Sequence, residues 1–508
     1  MSKMSRIVSL VLALMMLCGM GTVATAEEAK PLEHVTLEWY VAEDAKPDNQ
    51  TVFDAINAYL EEKINTTINF HFIGYSEYAQ KVSTILMSGQ EVDIVNANSA
   101  LNYVEYVKKG AFLPMEELLP QYAPETYKMI PEDYWSAMRV DDHIYGIPSY
   151  KDSCQMYCVI ANETLAKTLG MDLSGVVLEN YQDMVPILYE AWEKRNEMFP
   201  EDAKLPITRT FPDLDRWAQY ETINGLAVVN VPGVEDYEGM GSGEIVFNKY
   251  ATKEYRDMSK TMAKMVTDGV LPYDLFNFDS SRIYNKEGKY LVEDLGSGYV
   301  TVAKNMCSPN WDAMMIPFAD KIASTAYLHN AVECISATSK NPERAMMVLE
   351  LINTDNFVAT ALRFGLEGVH WNMSDEPGVL DFTGTKNEDA ANRGHYYWYG
   401  AQFGAIVHSY VPSGYPANFN DLILEANASA ISDTNMGFIF DPSPVQNEIA
   451  ACNAVISEYE MNLKFGFIPE EDVDANIDEF LAKLEASGAS KIVAEAQAQL
   501  DAWRAVNK

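Results

Sequence analysis

The sequence predicts an α/β protein built as two lobes, and three observations carry that reading. Short strand-like runs alternate with amphipathic stretches between residues 34 and 98. Beyond residue 150 the pattern turns helix-rich with scattered strands, and near residue 330 the alternation returns. Alternating strands and helices imply parallel βαβ units covered on both faces. A pattern that is interrupted and resumed implies lobes joined by more than one crossing.

The elements follow in order. "HVTLEWYVA" alternates as a strand, and "TVFDAINAYLEEKI" places Phe53, Ile56, Leu60 and Ile64 on one helical face. "INFHFIGY" is a strand, "SEYAQKVSTILMSG" a helix stopped at Gly89, and "EVDIVNA" a short apolar strand. "SCQMYCVIA" is a strand, and "EYRDMSKTMAKMVTDG" a helix ending at Gly269. In "AVECISATSKNPERAMMVLELIN" a strand runs into a helix with Asn341 as N-cap, Pro342 at its first position and Glu343 beside its positive end. Two helices close the chain. Val473, Ile477, Phe480, Leu481 and Leu484 form the apolar face of the first, and the second carries Leu500 and Trp503.

The formal net charge of −37 repels phosphate backbones and anionic lipid, which argues against nucleic-acid and peripheral membrane binding. The first residues form an export signal: Lys3 and Arg6, the run "IVSLVLALMMLCGM", then Ala24-Thr25-Ala26, which predicts cleavage after Ala26. A competing outcome is lipidation at Cys18, although Leu17 stands where a lipobox has a small residue. Cys154, Cys158, Cys307, Cys334 and Cys452 are expected as unpaired thiols. Cys154 and Cys158 share a strand at ~13 Å, too far for a bridge.

Catalytic signatures are missing. The chain has no H-E-x-x-H and no G-x-x-x-x-G-K-[ST], and Ser242 in "EGMGSGE" lacks the glycines of a nucleophile elbow. The expectation is a protein that is not an enzyme and needs no cofactor or metal. Aromatic chemistry is abundant, since Tyr, Phe and Trp make 11% of the chain. Rings cover the apolar faces of sugars while Asp, Asn, Glu and Gln satisfy the hydroxyl edges, a composition that suits a polyol ligand and a large core equally.

The ordered segments "YLEEKINTTINFHF", "YAQKVSTILMSGQEVDIV", "VKKGAFLPMEELLPQYAPETY", "IYGIPSYKD", "SATSKNPERAMMVLELINTD", "FGLEGVHW", "WYGAQF" and "KLEASGASKIVAEAQAQLDAW" resemble bacterial extracellular solute-binding proteins of the family 1 type. The match is to the LplA-like branch with a DUF3502 C-terminal region, and it runs over nearly the whole mature chain. The resemblance implies a two-lobed, type II periplasmic-binding-protein-like α/β fold with a hinge and an interlobe cleft. It also implies an ABC transporter substrate-binding protein that captures a carbohydrate, an oligosaccharide, and delivers it to permease subunits. Such a protein would be an exported monomer that meets the membrane only through its transporter or an anchor at Cys18. The expected division is a signal peptide over 1–26, lobe 1 over 27–150 plus about 325–390, and lobe 2 over 151–324 plus about 391–508. Relatives commonly read E-G-K-H-Y where this chain has "EGVHW". Some hold calcium in a D-x-N-x-N-G loop after a helix near residue 195, where this chain reads "KRNEMFPEDAKLPIT" and predicts none.

Ligands of open α/β sheets sit outside the carboxyl ends of the strands. That rule nominates Tyr40 at the end of the first strand and Asn98 after the third, where a plain turn role competes. It also nominates Tyr150 in "GIPSYKD", where a Lys151–Asp152 pair is the bland alternative, and Tyr299 on the "GSGY" loop. His370 and Trp371 lie in the family-diagnostic segment, with a buried His satisfied by Glu367 as the competing role. In "GHYYWYGAQFG" either backbone geometry splits the four rings between two faces. Two or three are therefore expected to pack the second lobe, and Trp398 to reach the cleft. The alternative functions are an exported glycan-active enzyme, or a binding protein for peptides or for signalling.

Overall fold

The computed structural model describes residues 32–508 except 99, 204, 209–211, 232–240, 242, 272–287, 297–299, 302–310, 389–393, 399–403 and 508. The export signal, Cys18, Cys307, Tyr299 and Tyr399 lie outside the described residues.

Lobe 1 opens with β1 (Val35–Val41), α1 (Asn49–Ile64), β2 (Thr66–Phe72), α2 (Tyr75–Ser88) and β3 (Ile94–Asn98). The expected faces are buried: Val52, Phe53, Ile56 and Leu60 on α1, and Tyr78, Val82 and Leu86 on α2. Helix α2 ends where Gly89 takes φ +73, a conformation that costs glycine nothing. After β4 (Gly146–Pro148) the chain leaves for the second lobe. There β5 (Gln155–Asn162) leads to α3 (Tyr181–Met198), capped by Asn180 and Asp183 in a reciprocal box. Next come α4 (Leu214–Trp217), β6 (Tyr220–Asn224), β7 (Ala227–Asn230) and α5 (Lys253–Asp268), then β8 (Val292–Gly296) and the long β9 (Ala313–Ala323).

The chain returns through β10 (Ala331–Ile335), α6 (Pro342–Thr354) and α7 (Asn356–Phe364). Asn341 precedes α6 as expected, but its side chain makes no capping bond. A last crossing leads through α8 (Phe419–Ala428) to β11 (Ile431–Ser432), and α9 (Gln446–Lys464), α10 (Val473–Ala486) and α11 (Ala489–Asn507) close the fold.

The lobe 1 sheet has the order β2-β1-β3-β10-β4, in which β10 alone runs antiparallel to its neighbours. The lobe 2 sheet has the order β8-β5-β9-β11. Three large cores result: one under the first sheet, one between the second sheet and α3 and α5, and one among the C-terminal helices. Tyr396, Trp398 and Ala405, expected in lobe 2, pack in the first of these. The backbone explains this correction: Trp398 N donates to Arg363 O at the end of α7, and Tyr396 N to Asn387 Oδ1. The described cysteines, 154, 158, 334 and 452, are buried.

The C-terminal core is organised by Phe480 of α10, fully buried and ringed by Tyr250, Tyr255 and Tyr459 at 5.1, 6.3 and 5.2 Å. Phe480→Ala is expected to lower unfolding free energy by ~3–5 kcal/mol in urea titrations, through lost transfer energy plus the cavity left behind.

Candidate functional site

The two lobes meet where the chain crosses three times, and these crossings floor the space between them. The first is residues 149–154 and the second runs from Ala323 to Ala331. The third enters lobe 2 through residues 404–410 and α8. Backbone bonds bind them into one joint: Ser149 N to Ala331 O at 2.8 Å, Ile406 N to Tyr150 O at 3.0 Å, and Asp433 N to Ala323 O at 2.8 Å. Asn427, buried on α8, accepts from Ser153 N at 3.0 Å and donates to Lys151 O at 2.7 Å. One side-chain amide thereby satisfies both polarities of the first crossing.

Polar and aromatic side chains gather at this floor. Lys151 Nζ lies 3.5 Å from Asp152 and 5.4 Å from the centre of the Tyr327 ring, an ammonium over a π face. Burial pushes the Asp152 carboxyl up to about 6, and the Lys151 charge offsets this only in part. Glu221 on β6 rises as well, first through burial and then through Asp433 and Asp215, with a Ser324 hydrogen bond opposing. Both carboxylates keep some solvent contact while packed among protein atoms. In the lobe 2 wall Tyr157 donates to Gln155 at 3.1 Å and its ring parallels Phe318 at 6.1 Å. Phe318 in turn stacks on Trp217 at 3.7 Å and 6°. Chemically, the joint offers carboxylate acceptors, an ammonium donor and aromatic edges.

Of the sequence-nominated residues that the structure describes, only Tyr150 lies on a crossing. Tyr150 is buried against Tyr134, and desolvation raises its phenol while Asn427 opposes the shift. Tyr40 stacks on His71 at 4.4 Å and its hydroxyl accepts from Gln90 at 3.2 Å, inside lobe 1. Asn98 accepts from Ala100 N and Leu101 N at 2.8 and 3.0 Å, which is the turn role. His370 is fully buried, taking Leu366 N on Nδ1 at 3.0 Å and facing Asp48 Oδ2 at 3.1 Å through Nε2. Asp48, not Glu367, is its carboxylate. Burial lowers the His370 pKa against the pull of Asp48. The Trp371 indole donates to Gly365 O at 3.0 Å, and Gly365 sits at φ +78 with the His370 ring where a Cβ would stand. Trp398 is buried under Lys46, whose Nζ is 4.6 Å from its ring, and 5.8 Å from Phe72. His370, Trp371 and Trp398 therefore hold lobe 1 together beside the loop after β1, each engaged within that lobe.

Asp152, Tyr157, Trp217, Glu221, Phe318 and Tyr327 were not singled out as site residues by sequence reasoning. They come from three stretches, 152–157, 217–221 and 318–327, that only the tertiary fold unites, and the place of Asp152 beside the expected crossing was the one available signal. Near the region compared with a calcium loop, the buried Arg195 guanidinium donates to Pro206 O at 2.7 Å, and Lys289 pairs with Asp202 at 2.8 Å. Protein cations thus serve the carbonyl and carboxylate oxygens there. Among the described residues no three His, Cys, Asp or Glu side chains group as metal ligands, and no helix is long and apolar enough to cross a membrane.

Comparison with known proteins adds the following. The model of the bacterial extracellular solute-binding protein family matches residues 46–184, and that of a domain of unknown function, DUF3502, matches 434–505. A carbohydrate ABC transporter substrate-binding protein of Streptococcus pneumoniae is 27% identical over 95% of this chain and 94% of its own. Among solved structures, the N-glycan transport solute binding protein NgtS of S. pneumoniae superposes with TM-score 0.80 at 23% identity, covering 93% of this chain and 100% of that one. NgtS in complex with Man5GlcNAc gives 0.67 over 93% and 99%. A solute-binding protein from Bifidobacterium longum infantis, described as binding HMO, gives 0.61 at 15% identity over 92% and 99%. The fold is the two-lobed α/β fold of solute-binding proteins.

One buried group sets a pH dependence for lobe 1. Glu333 on β10 accepts from Asn96 Nδ2 at 3.2 Å with the Trp39 indole also beside it, and burial pushes its carboxyl up to about 8. A carboxyl raised in the fold holds its proton while the unfolded chain ionises. Its contribution to stability is therefore present at low pH and is lost as pH rises from about 4.5 towards about 8. Glu333→Gln is expected to flatten the stability profile over that window in denaturation series, with the largest gain over the parent at the alkaline end.

Proposed function

We propose that this chain, which carries the bacterial extracellular solute-binding protein family over residues 46–184 and DUF3502 over 434–505, captures an oligosaccharide between its lobes and presents it to an ABC importer. The observation that carries the reading is the joint: three crossings, the first and third knitted by Asn427, with carboxylates and rings gathered where two α/β lobes meet. Such a joint supports hinge closure, in which two rigid lobes rotate around a ligand. The comparison with NgtS favours the same motion. At equal identity and coverage, the fit falls from 0.80 to 0.67 when the partner is the Man5GlcNAc complex. A rigid-body change between lobes lowers a global superposition without touching the fold of either lobe.

The ligand class follows from the groups on the floor. Asp152, Glu221 and Gln155 accept or exchange hydrogen bonds with hydroxyls, Lys151 donates, and the Tyr327 and Tyr157 rings cover C–H faces. The acidic surroundings disfavour polyanionic ligands and leave neutral glycans as the better fit. The named relatives are transporter binding proteins for carbohydrates and glycans, which supports the same class. In this reading the chain acts without turnover, and two permease subunits with an ATPase receive its cargo. It is exported, with cleavage after Ala26, and works as a monomer. In this reading Tyr150 contributes to the site together with Asp152, Glu221, Tyr157 and Tyr327.

Calorimetric titration with neutral oligosaccharides, each mixture checked afterwards for hydrolysis, tests this. One intact glycan per chain is expected. Asp152→Ala should weaken it about tenfold or more, since losing a charged hydrogen-bonding partner costs ~1.5–3 kcal/mol. Cleaved product would make the protein an enzyme. Binding unaffected by changes at both Asp152 and Glu221 would move the site away from the joint.

A further inference from the structure

Asp48, in the loop between β1 and α1, gathers side chains from the far end of lobe 1. Its Oδ2 meets the Lys386 ammonium at 2.7 Å, His370 Nε2 at 3.1 Å and His395 Nδ1 at 3.8 Å. Its backbone N–H donates to His395 O at 3.4 Å. Two residues earlier, Lys46 lies over the Trp398 ring at 4.6 Å. One carboxylate thus ties the loop that follows β1 to the segments after α7. That loop stands at the carboxyl end of β1, a strand flanked on both sides in its sheet, and this is the edge at which open α/β sheets hold ligands.

His370 is the member of this cluster that acid changes. Its Nδ1 accepts the Leu366 N–H at 3.0 Å, so Nδ1 carries no proton, and the ring is a neutral imidazole that donates through Nε2 to Asp48. A second proton has one place to go, Nδ1, and there it would face the Leu366 N–H and break that bond. The ring has no room to turn away. It fills the space where a side chain of Gly365 would stand, and its own backbone is held by Leu366 O and Thr385 Oγ1, each at 2.8 Å. The charged or titratable groups facing the ring are Asp48 before α1, and Lys386 and His395 after α7. Tyr396 lies 5.8 Å away, with its hydroxyl given to Leu362 O. We propose that Asp48 and His370 form a clasp that positions the loop after β1 for the ligand, and that a proton on His370 opens it, so that the protein holds its oligosaccharide near neutral pH and releases it in acid. The clasp regulates the cleft binding proposed above and rests on that reading. Burial lowers the His370 pKa while Asp48 pulls it back up, so the ring is neutral and the clasp shut at pH 7, and it opens as pH falls below the ordinary histidine value of 6.5.

The test follows the whole protein, labelled with 15N at histidine, from about pH 7.5 to about pH 4.5, while calorimetry reads the affinity for a neutral oligosaccharide over the same range. His370, assigned through His370→Asn, is expected as the Nε2-protonated tautomer at neutral pH, titrating below 6.5. Affinity is expected to fall along the same curve, by up to about tenfold per pH unit, the limit set by one proton. Asp48→Asn removes the charge that favours the imidazolium, so the titration and the loss of affinity should move together to lower pH. His370→Asn keeps an acceptor for Leu366 N and takes no proton. It should bind more weakly than the parent at pH 7 and lose the acid limb, which separates the clasp from the Asp152 carboxyl that titrates in the same range. If His370→Asn does not fold, the joint shift in Asp48→Asn decides. An affinity that stays flat while His370 titrates, or an acid limb that survives in His370→Asn or stays in place in Asp48→Asn, overturns the clasp and leaves the cleft reading standing. No binding of neutral oligosaccharides at pH 7, with the His370 tautomer as expected, overturns the cleft reading and the release role with it.

Discussion

The structure depends on the joint at which one chain passes three times between two independently packed lobes. A crossing segment gives up its place in one sheet before it enters the next, so its backbone groups need partners the sheets do not supply. Here the crossings supply them to each other: Ser149 to Ala331, Ile406 to Tyr150, and both faces of the first crossing to Asn427. A joint satisfied locally and flanked by rigid cores can bend without breaking either core, because the cost of rotation falls on a handful of backbone angles.

The return of the chain through β10 has a second consequence. Because β10 arrives from lobe 2, it enters the first sheet antiparallel, between β3 and β4, and brings Glu333 opposite Asn96. A carboxyl in the middle of a sheet is tolerated because it stays protonated and accepts amide hydrogens, a neutral group in an apolar layer. The C-terminal helices brace the joint from the other side. Gly437 N donates to Thr325 Oγ1 at 2.7 Å on the second crossing, and the Gly437 Cα approaches the Ser136 carbonyl of lobe 1 so closely that a side chain there would crowd it. The DUF3502 segment thus begins as part of the joint and then builds its own core around Phe480.

Much of lobe 1 was legible because its signals are local. Periodicity located α1 and α2, Gly89 ended α2, and the strand-helix unit after residue 330 appeared as written. The aromatic run at 395–398 was misplaced for the opposite reason. Which lobe a ring packs into is decided by bonds to Arg363 and Asn387, dozens of residues or a turn away, and neither bond leaves a mark on the local pattern. The site suffered the same way. Aromatic and histidine residues were nominated because their chemistry is conspicuous, yet His370 and Trp371 are spent on Asp48, Leu366 and Gly365. The groups at the joint are ordinary acids and tyrosines in a chain that has 74 acidic residues and 29 tyrosines, so composition could not single them out.

The raised carboxyls at the joint bear on the kind of ligand such a floor can hold. Asp152 and Glu221 resist ionisation because protein surrounds them and, for Glu221, because other acids do. A closing lobe removes still more water, which pushes any carboxylate facing a neutral ligand further towards its protonated form. A protonated acid both donates and accepts, and a sugar hydroxyl does the same, so the pair can match in either direction. An anionic ligand would instead face residual negative charge with less water to screen it. The same desolvation that makes these acids costly to ionise therefore suits them to uncharged, hydroxyl-rich molecules, and it does so through the geometry of the joint.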